Sequence, residues 1–184
     1  MRPTTKPIRM CSWAIYRMAN ARAETAATKP SFRSAYKSRR CIIPVNGYYE
    51  WKVTGANQKQ PYFFHRPHDE VFAFAGLWEH WQGAEEPALE TCCLLTTAAN
   101  SKAAEVHDRM PVILTGDAVK LWLDHSLKDL KPLAELLKPA TEKLLTTVPV
   151  STFVNSPRNE SPKCVEPISS RQTISQVVPA TTNC

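Results

Sequence analysis

The 184-residue sequence predicts an α+β fold, in which a mainly antiparallel β-sheet curls toward a barrel and a few helices lie at its periphery. Two observations predict this class. Short apolar and aromatic runs bounded by turn residues fill much of the chain up to Leu114, a pattern typical of paired strands. Leucine-rich segments with helical spacing follow, so strands and helices are unevenly segregated along the chain.

The strand predictions follow the chain. The segment from Cys41 to Val53 (CIIPVNGYYEWKV) carries apolar and aromatic residues around Asn46-Gly47, which is a strong turn dipeptide. QPYFFHR and VFAFAGLWEHW look like paired strands, separated by a polar loop at Pro67 to Glu70. ETCCLLTTAA predicts another buried strand. RMPVIL predicts a further one, with Pro111 near its start, where a missing N–H is tolerated.

Helices are predicted in the second half of the chain. Asp117 can cap the segment AVKLWLDHSL, and KPLAELLKPATEKLL carries a leucine-rich stripe that Pro139 interrupts. TTVPVSTFVN then returns to strand character. We expect residues 1–168 to form a single domain. Residues 169–184 have no core pattern, and we expect a flexible tail there.

Composition places the chain among ordinary globular proteins. Hydrophobic residues make up 43% and charged residues 22%. The 23 Lys and Arg against 17 Asp and Glu give a net charge of +6, which allows a polyanionic partner without requiring one. The amino terminus lacks the apolar core of a signal peptide, and no segment is apolar enough to span a membrane. We expect no membrane partner. We also expect an intracellular protein, in the cytoplasm or nucleoid or, in a eukaryote, in the nucleus, and a monomer.

The six cysteines predict buried, reduced thiols rather than disulfides or metal ligands. None forms a Cys-x-x-Cys motif, and Cys92 and Cys93 lie inside an apolar run. His65 and His68 are the only close histidine pair, and no thiol or carboxylate spacing completes a zinc site around them. We predict no metal and no cofactor.

The stretch NARAET could place three polar side chains on one face of a strand. Alternate residues of an extended chain point the same way. A strand from Asn20 to Glu24 would therefore present an amide, the Arg22 guanidinium and a carboxylate, with two alanines on the other face. Such a face is either an ordinary surface, with Arg22 paired to Glu24 or Glu50, or the floor of a polar pocket.

Two further stretches carry polar groups that a packed sheet does not need. Glu50 in GYYEW lies among aromatic residues, so loss of hydration should raise its pKa and suit it to acid–base chemistry. His107, Asp108 and Arg109 in EVHDRMP come just before an apolar strand. Each has a simpler interpretation, because a Glu beside a Trp usually faces outward and a lone His at the start of a strand is usually a structural hydrogen-bonding residue.

Four ordered motifs, NARAET, GYYEW, TTAAN…HDRMPVIL and VNSPRNESP, resemble those of the SRAP family of abasic-site processing proteins. The resemblance runs from about Ser12 to Ile168. It implies a single α+β domain with a curled β-core and a positively charged groove for single-stranded DNA. It also implies a reaction, in which the α-amine of an amino-terminal cysteine forms a Schiff base with the abasic-site aldehyde and the thiol closes a thiazolidine ring. A free α-amine titrates near neutrality and is nucleophilic when deprotonated.

The resemblance implies catalytic roles for Asn20, Glu50 and His107. It implies DNA contacts for Trp13, Arg22 and Arg109. Asn20 would hydrogen-bond near the reacting centre, and Arg22 would hold a flanking phosphate through its planar guanidinium. Glu50 would shuttle protons during Schiff-base formation and reversal, and His107 would assist opening of the sugar ring. Trp13 would stack against a base as part of a hydrophobic wedge.

The chain departs from the family pattern at its amino terminus, where Arg2 stands in place of cysteine. Only Ile15 to Ala19 separate SWA from NARAET. Three explanations stay open. The domain could be incomplete at its amino terminus, or the chain could be a variant that keeps the DNA groove without the covalent step. Cleavage after Met10 could instead expose Cys11, which an extended chain of roughly 30 Å would allow to reach the site.

We therefore predict a protein that binds single-stranded DNA and shields abasic sites through a covalent thiazolidine-type cross-link, with lyase-like chemistry. The alternative is a non-catalytic single-stranded DNA-binding member of the family. A third interpretation, ranked lowest, is a peptidase that removes its own first residue. The sequence shows no Ser/His/Asp or His-Glu-x-x-His arrangement to support it.

Overall fold

The computed structural model describes residues 19–82 and 88–168. In that part of the chain the strands are β1 (Asn20–Arg22), β2 (Arg40–Val45), β3 (Gly47–Gly55), β4 (Gln58–His65), β5 (Phe72–Trp81), β6 (Leu89–Ala98), β7 (Arg109–Pro111), β8 (Ile113–Leu114) and β9 (Thr146–Pro149). The α-helices are α1 (Ala23–Ala26), α2 (Arg33–Ser38), α3 (Ser101–Ala104), α4 (Asp117–Leu123) and α5 (Lys131–Leu136). These elements confirm the α+β class. The described helices are all too short, or too polar, to cross a membrane.

The chain divides into two compact units that alternate along the sequence. Described residues 19–45, 72–82, 88–98 and 109–140 belong to the first unit, and residues 46–71, 99–108 and 141–168 to the second. The chain therefore passes from one unit to the other at five places. The tail predicted from Ser169 onward lies outside the described residues.

The first unit is built on a six-stranded sheet in the order β1-β6-β5-β2, with β7 paired to β6 and β8 to β5. The pairing of β1 with β6 is parallel, whereas the other pairs are antiparallel. The sheet stays open, so the predicted curl does not reach a closed barrel. Its strands β5 and β6 come from continuous apolar runs, which suit strands covered on both faces.

Helices α2 and α4 cover the core of the first unit through aromatic side chains. Tyr36 and Trp122 meet edge to face, with ring centroids 5.8 Å apart, and Trp122 is fully buried. The Trp122 indole N–H donates a 2.8 Å hydrogen bond to the Cys41 carbonyl, which ties α4 to β2. The helices therefore hold β2 in place through both packing and a buried hydrogen bond.

Arg40, which is only 2% exposed, joins the ends of these two helices. Its guanidinium donates to the carbonyls of Tyr36 and Lys37 at the end of α2, and to those of Trp122 and Asp124 at the end of α4. The last carbonyls of a helix have no partner within the helix, and a cation there also suits the helix dipole. The buried charge is thus satisfied by backbone oxygens rather than by a carboxylate.

The second unit contains a three-stranded antiparallel sheet in the order β3-β4-β9. Gly47 begins β3 and lies against β4. A Cβ atom at this position would come within 2.2 Å of the Phe63 ring and 2.8 Å of the Phe64 carbonyl oxygen, so only glycine fits. This close approach sets the start of the β3–β4 ladder.

Two local predictions were wrong. The strand at NARAET ends at Arg22, and α1 begins at Ala23, because Ala23 and Ala26 are buried at helical spacing. QPYFFHR and VFAFAGLWEHW are not paired with each other, since β4 pairs with β3 and β9 while β5 pairs with β2, β6 and β8. At the turn predicted for Asn46-Gly47 the chain bends at Asn46 and passes from β2 to β3, which belong to different sheets.

Cysteine burial agrees with the sequence prediction at most of the described positions. Cys92, Cys93 and Cys164 are buried, whereas Cys41 is half-buried. Burial raises the pKa of the Cys93 thiol to about 11, so this thiol stays protonated at neutral pH and is chemically inert.

Candidate functional site

Strand β1 presents two polar side chains to solvent. Asn20 and Arg22 are exposed, while Ala21 between them is 2% exposed. The parallel register places Arg22 beside Thr96 of β6, and the Leu94 N–H donates to the Ala19 carbonyl at the start of the strand. The alternation predicted for the start of NARAET is therefore present, supported from behind by small buried residues.

Glu24, one residue into α1, is held by an arginine from a distant part of the chain. Arg109 Nη1 and Nη2 donate to the two carboxylate oxygens of Glu24 at 2.7 Å and 2.9 Å. Nη2 also donates to the Thr96 carbonyl at 2.5 Å. Hydrogen bonds from Arg109 hold the pKa of the Glu24 carboxyl below its ordinary value. The partner of Glu24 is thus Arg109, not Arg22 as one sequence interpretation allowed.

These contacts bear on the predicted DNA-binding role of Arg109. Both terminal nitrogens of its guanidinium already donate to Glu24 and Thr96, and its charge is balanced by the carboxylate. In this conformation Arg109 fixes α1 against β6 and β7. A DNA contact by Arg109 stays a prediction.

In the second unit, Glu50 lies on β3 among aromatic neighbours. It pairs in register with Tyr62 of β4, and Tyr48, two residues earlier on the same face, stacks on Phe64 with ring centroids 4.8 Å apart. Burial raises the pKa of the Glu50 carboxyl, the charge of His107 opposes this rise, and Asp108 adds to it. The predicted direction of this pKa shift is confirmed, and its main cause is the predicted loss of hydration.

His107 and Asp108 follow the short helix α3. Asn100 caps that helix by accepting a 2.8 Å hydrogen bond from the Ala103 N–H, and the His107 N–H donates to the Ala103 carbonyl. His107 Nδ1 lies 3.3 Å from Asp108 Oδ1, and the His107 side chain is 44% exposed. The charge of the exposed His107 imidazole therefore acts on the half-buried Glu50 carboxyl, whose pKa burial raises. A carboxyl and an imidazole are both side chains that can serve as general acids or bases.

A contact that sequence reasoning missed joins two of the motifs. The Trp51 indole N–H, next to Glu50, donates a 2.8 Å hydrogen bond to Asn155 Oδ1 in VNSPRNESP. Both residues line a groove of about 620 Å³ at the far end of the β3–β4 hairpin. The two residues are 104 positions apart, so no local pattern predicts their contact. The only signal in the sequence was that both motifs occur in the same chain.

The other predicted site residues either lie outside the described part of the chain or are divided between the two units. Trp13 and Cys11 lie outside the described residues. Asn20, Arg22 and Arg109 belong to the first unit, and Glu50 and His107 to the second. Residues 19–82 and 88–168 contain no group of three or more His, Cys, Asp and Glu side chains arranged to hold a metal ion.

Comparison with known proteins identifies the family. The profile described as SOS response associated peptidase (SRAP) matches residues 5–157, most of the chain. The chain belongs to the SRAP family. Its similarity to the abasic site processing protein YoqW of Bacillus subtilis is 44% identity over 151 residues, which cover 82% of this chain and 67% of YoqW.

An animal protein and a solved bacterial structure are also similar to this chain. The abasic site processing protein HMCES of Gallus gallus is 33% identical over 175 residues, which cover 83% of this chain and 51% of HMCES. A crystal structure of a protein from Bacteroides thetaiotaomicron superposes with a TM-score of 0.74 at 34% identity, over 82% of this chain and 66% of that one. This chain therefore spans about two thirds of its bacterial relatives and half of the animal one.

Proposed function

We propose that this SRAP chain is an abasic-site processing protein, which binds single-stranded DNA inside the cell and shields the abasic site. The observation that carries the proposal is the family membership, together with the presence of the family's motif residues in this chain. Relatives at 33–44% identity are named abasic site processing proteins, and the motif residues Arg22, Glu50 and His107 stand at exposed or half-exposed positions in the structure.

The strand β1 supplies the proposed phosphate contact. Neither the Asn20 nor the Arg22 side chain forms a hydrogen bond or ion pair with another described residue, so both are available to a ligand. A guanidinium binds phosphate through two parallel N–H donors, and an amide can donate to and accept from the sugar or the open-chain aldehyde. Arg22 thus holds a flanking phosphate, and Asn20 orients the reacting group.

Glu50 and His107 supply the proposed proton transfers. Addition of an amine to the aldehyde gives a carbinolamine, which loses water only when its hydroxyl is protonated. A carboxyl whose pKa is raised by burial keeps its proton closer to neutrality and can give it to that hydroxyl. The exposed His107 imidazole can protonate the ring oxygen of the closed sugar, which frees the aldehyde.

The covalent step needs an amine and a thiol on one residue. In the reaction that the family resemblance implies, the amine adds to the aldehyde carbon and water leaves to form an imine. The thiol then adds to the imine carbon, and its proton moves to nitrogen, which closes the thiazolidine. Within this sequence Cys11 could serve after cleavage behind Met10.

The test uses the purified chain, an abasic single-stranded oligonucleotide and a matched oligonucleotide carrying a tetrahydrofuran analogue, which has no aldehyde. We expect both to bind in a native gel. A heat-stable band on a denaturing gel, formed only with the true abasic site and lost in Cys11→Ala, identifies the nucleophile. Glu50→Gln should lower the rate at which that band forms by about 10²- to 10⁴-fold, without changing the affinity for the tetrahydrofuran analogue.

Two outcomes decide among the functions. Native binding without a heat-stable band favours the non-catalytic single-stranded DNA-binding alternative. If the protein binds an intact strand as tightly as it binds the abasic and the tetrahydrofuran oligonucleotides, the proposed function is wrong. Arg22→Gln should weaken binding in either case and reduce the slope of log affinity against log salt by about 0.7, the value for one phosphate contact on a single strand.

A further inference from the structure

Three cationic side chains form a line on the outer face of α2 and of the turn that leads into it. We call Lys29, Arg33 and Lys37 the basic stripe. The Arg33 N–H donates to the Lys29 carbonyl at 2.9 Å, so the helical turn that α2 continues begins at Lys29. Residues four apart on a helix lie on the same face about 6 Å from each other, which makes the stripe roughly 12 Å long.

The stripe faces away from the protein core. Phe32, Ala35 and Tyr36, on the opposite side of this segment, are each 3% exposed and pack into the core of the first unit. The three cationic residues are all exposed. Their positions follow from the fold, because burying the aromatic face of α2 turns the charged face outward.

Carboxylates nearby in the first unit do not neutralise the stripe. Glu24 is bound by Arg109, and Glu79 accepts a 2.6 Å hydrogen bond from Arg39, the arginine just after α2. Within the described residues, the structure gives no stripe side chain an ion pair or hydrogen bond. Like charges four apart repel each other, so an isolated helix gains nothing from this arrangement.

We propose that the basic stripe binds consecutive phosphates of a DNA strand and extends the contact surface beyond Arg22. This inference rests on the proposed function. Strand β1 leads through α1 directly into the stripe, so Arg22 and Lys29 are only seven residues apart in the same unit. A row of regularly spaced cations suits a polyanion with regularly spaced charges better than it suits one acidic side chain. Because such contacts reach only the backbone, they add affinity without adding selectivity for the lesion.

The experiment measures affinity for a single-stranded oligonucleotide of roughly 20 nucleotides, with and without a central tetrahydrofuran site, by fluorescence anisotropy at about 50 to 200 mM salt. The test variant of the full chain carries Lys29→Gln, Arg33→Gln and Lys37→Gln. The matched control carries the same number of substitutions at exposed lysines of the α4 and α5 region of the same unit, Lys120→Gln, Lys128→Gln and Lys131→Gln. Both variants lower the net charge from +6 by three.

We expect the stripe variant to lower the slope of log affinity against log salt by about 2, from three phosphate contacts, and to weaken binding at the lowest salt by on the order of 100-fold. The loss should be equal for abasic and intact strands, and the control variant should keep the slope of the unmodified protein. Arg33→Lys, which keeps the charge, should also keep the slope.

Several results would overturn the inference. Equal slopes for the stripe variant and the control show that only net charge matters. A loss confined to the abasic strand shows a lesion contact instead of a backbone contact. Stripe-dependent binding of polyglutamate with unchanged DNA binding would indicate an acidic protein partner. If the unmodified protein binds no oligonucleotide at any salt, the proposed function itself is wrong, which separates the two failures.

Discussion

Replacing Arg40 by methionine tests whether one buried guanidinium holds two helix ends together. Methionine is similar in length and removes both the charge and every donor, which leaves the carbonyls of Tyr36, Lys37, Trp122 and Asp124 without this partner. Hydrogen bonds from a charged donor contribute about 1.5–3 kcal/mol each. The expected loss of stability is smaller than the sum of these contributions, because the arginine lost its hydration on burial and that cost offsets part of the gain.

The expected loss is about 3–5 kcal/mol in the free energy of unfolding, because each buried carbonyl left without its donor costs about 1–3 kcal/mol and the relieved desolvation of the arginine offsets part of that sum. For a chain of 184 residues, each kcal/mol lowers Tm by roughly 2–4 °C, so Arg40→Met should lower Tm by about 6–20 °C. Differential scanning calorimetry and urea unfolding measure the two quantities.

The adjacent Arg39 provides a matched control for the same substitution. Its guanidinium pairs with Glu79 where the two side chains are 24% and 30% exposed, so Arg39→Met should cost only about 1 kcal/mol. Arg40→Lys keeps the charge but loses the planar set of donors, and it should fall between the two. Equal losses for Arg39→Met and Arg40→Met would refute the assignment of Arg40 as a cap on both helices.

Three further predictions concern the second unit. Gly47→Ala places a methyl group within 2.2 Å of the Phe63 ring and should cost about 1–3 kcal/mol by urea unfolding, whereas Gly55→Ala, with nothing nearer than 3.7 Å, should cost less than about 1 kcal/mol. Because the pKa of Glu50 is raised from its ordinary 4.5, its contribution to the free energy of unfolding is complete at low pH and is lost as pH rises through the folded-state pKa. Glu50→Gln should therefore match the stability of the unmodified protein near pH 4 and exceed it at pH 8. A difference in stability that does not change with pH would contradict this sign. Trp51→Phe removes the indole donor to its amide partner and should cost about 0.5–1.5 kcal/mol by thermal unfolding, with an unchanged Tm counting against the contact.

Sequence patterns identified most strands because each comes from a short run of apolar and aromatic residues bounded by turn residues. The runs that became β5 and β6 are mainly apolar, and their short length favours a strand over a buried helix. Their partners were not predictable in the same way. QPYFFHR carries the same signals as VFAFAGLWEHW, and nothing local tells that the former pairs with β3 and β9 while the latter pairs with β2, β6 and β8.

The candidate site shows the same division between local and distant information. The raised pKa of Glu50 could be predicted, because its aromatic neighbours are adjacent in sequence. The pairing of Glu24 with Arg109 could not, because 85 positions separate the two residues and Arg22 is an equally plausible local partner. Arg40 was missed for a related reason, since Arg39-Arg40 looks like a solvated charge pair until α2 and α4 meet around it.

The five passages of the chain between its two units have a consequence for how the protein can be made and divided. No single cut yields either unit, because each is assembled from pieces drawn from across the sequence. During synthesis, the sheet of the first unit cannot be completed until β7 and β8 emerge, after β3 and β4 of the second unit are already outside the ribosome. The second unit in turn cannot complete its sheet until β9 emerges, so synthesis of the two units overlaps along most of the chain.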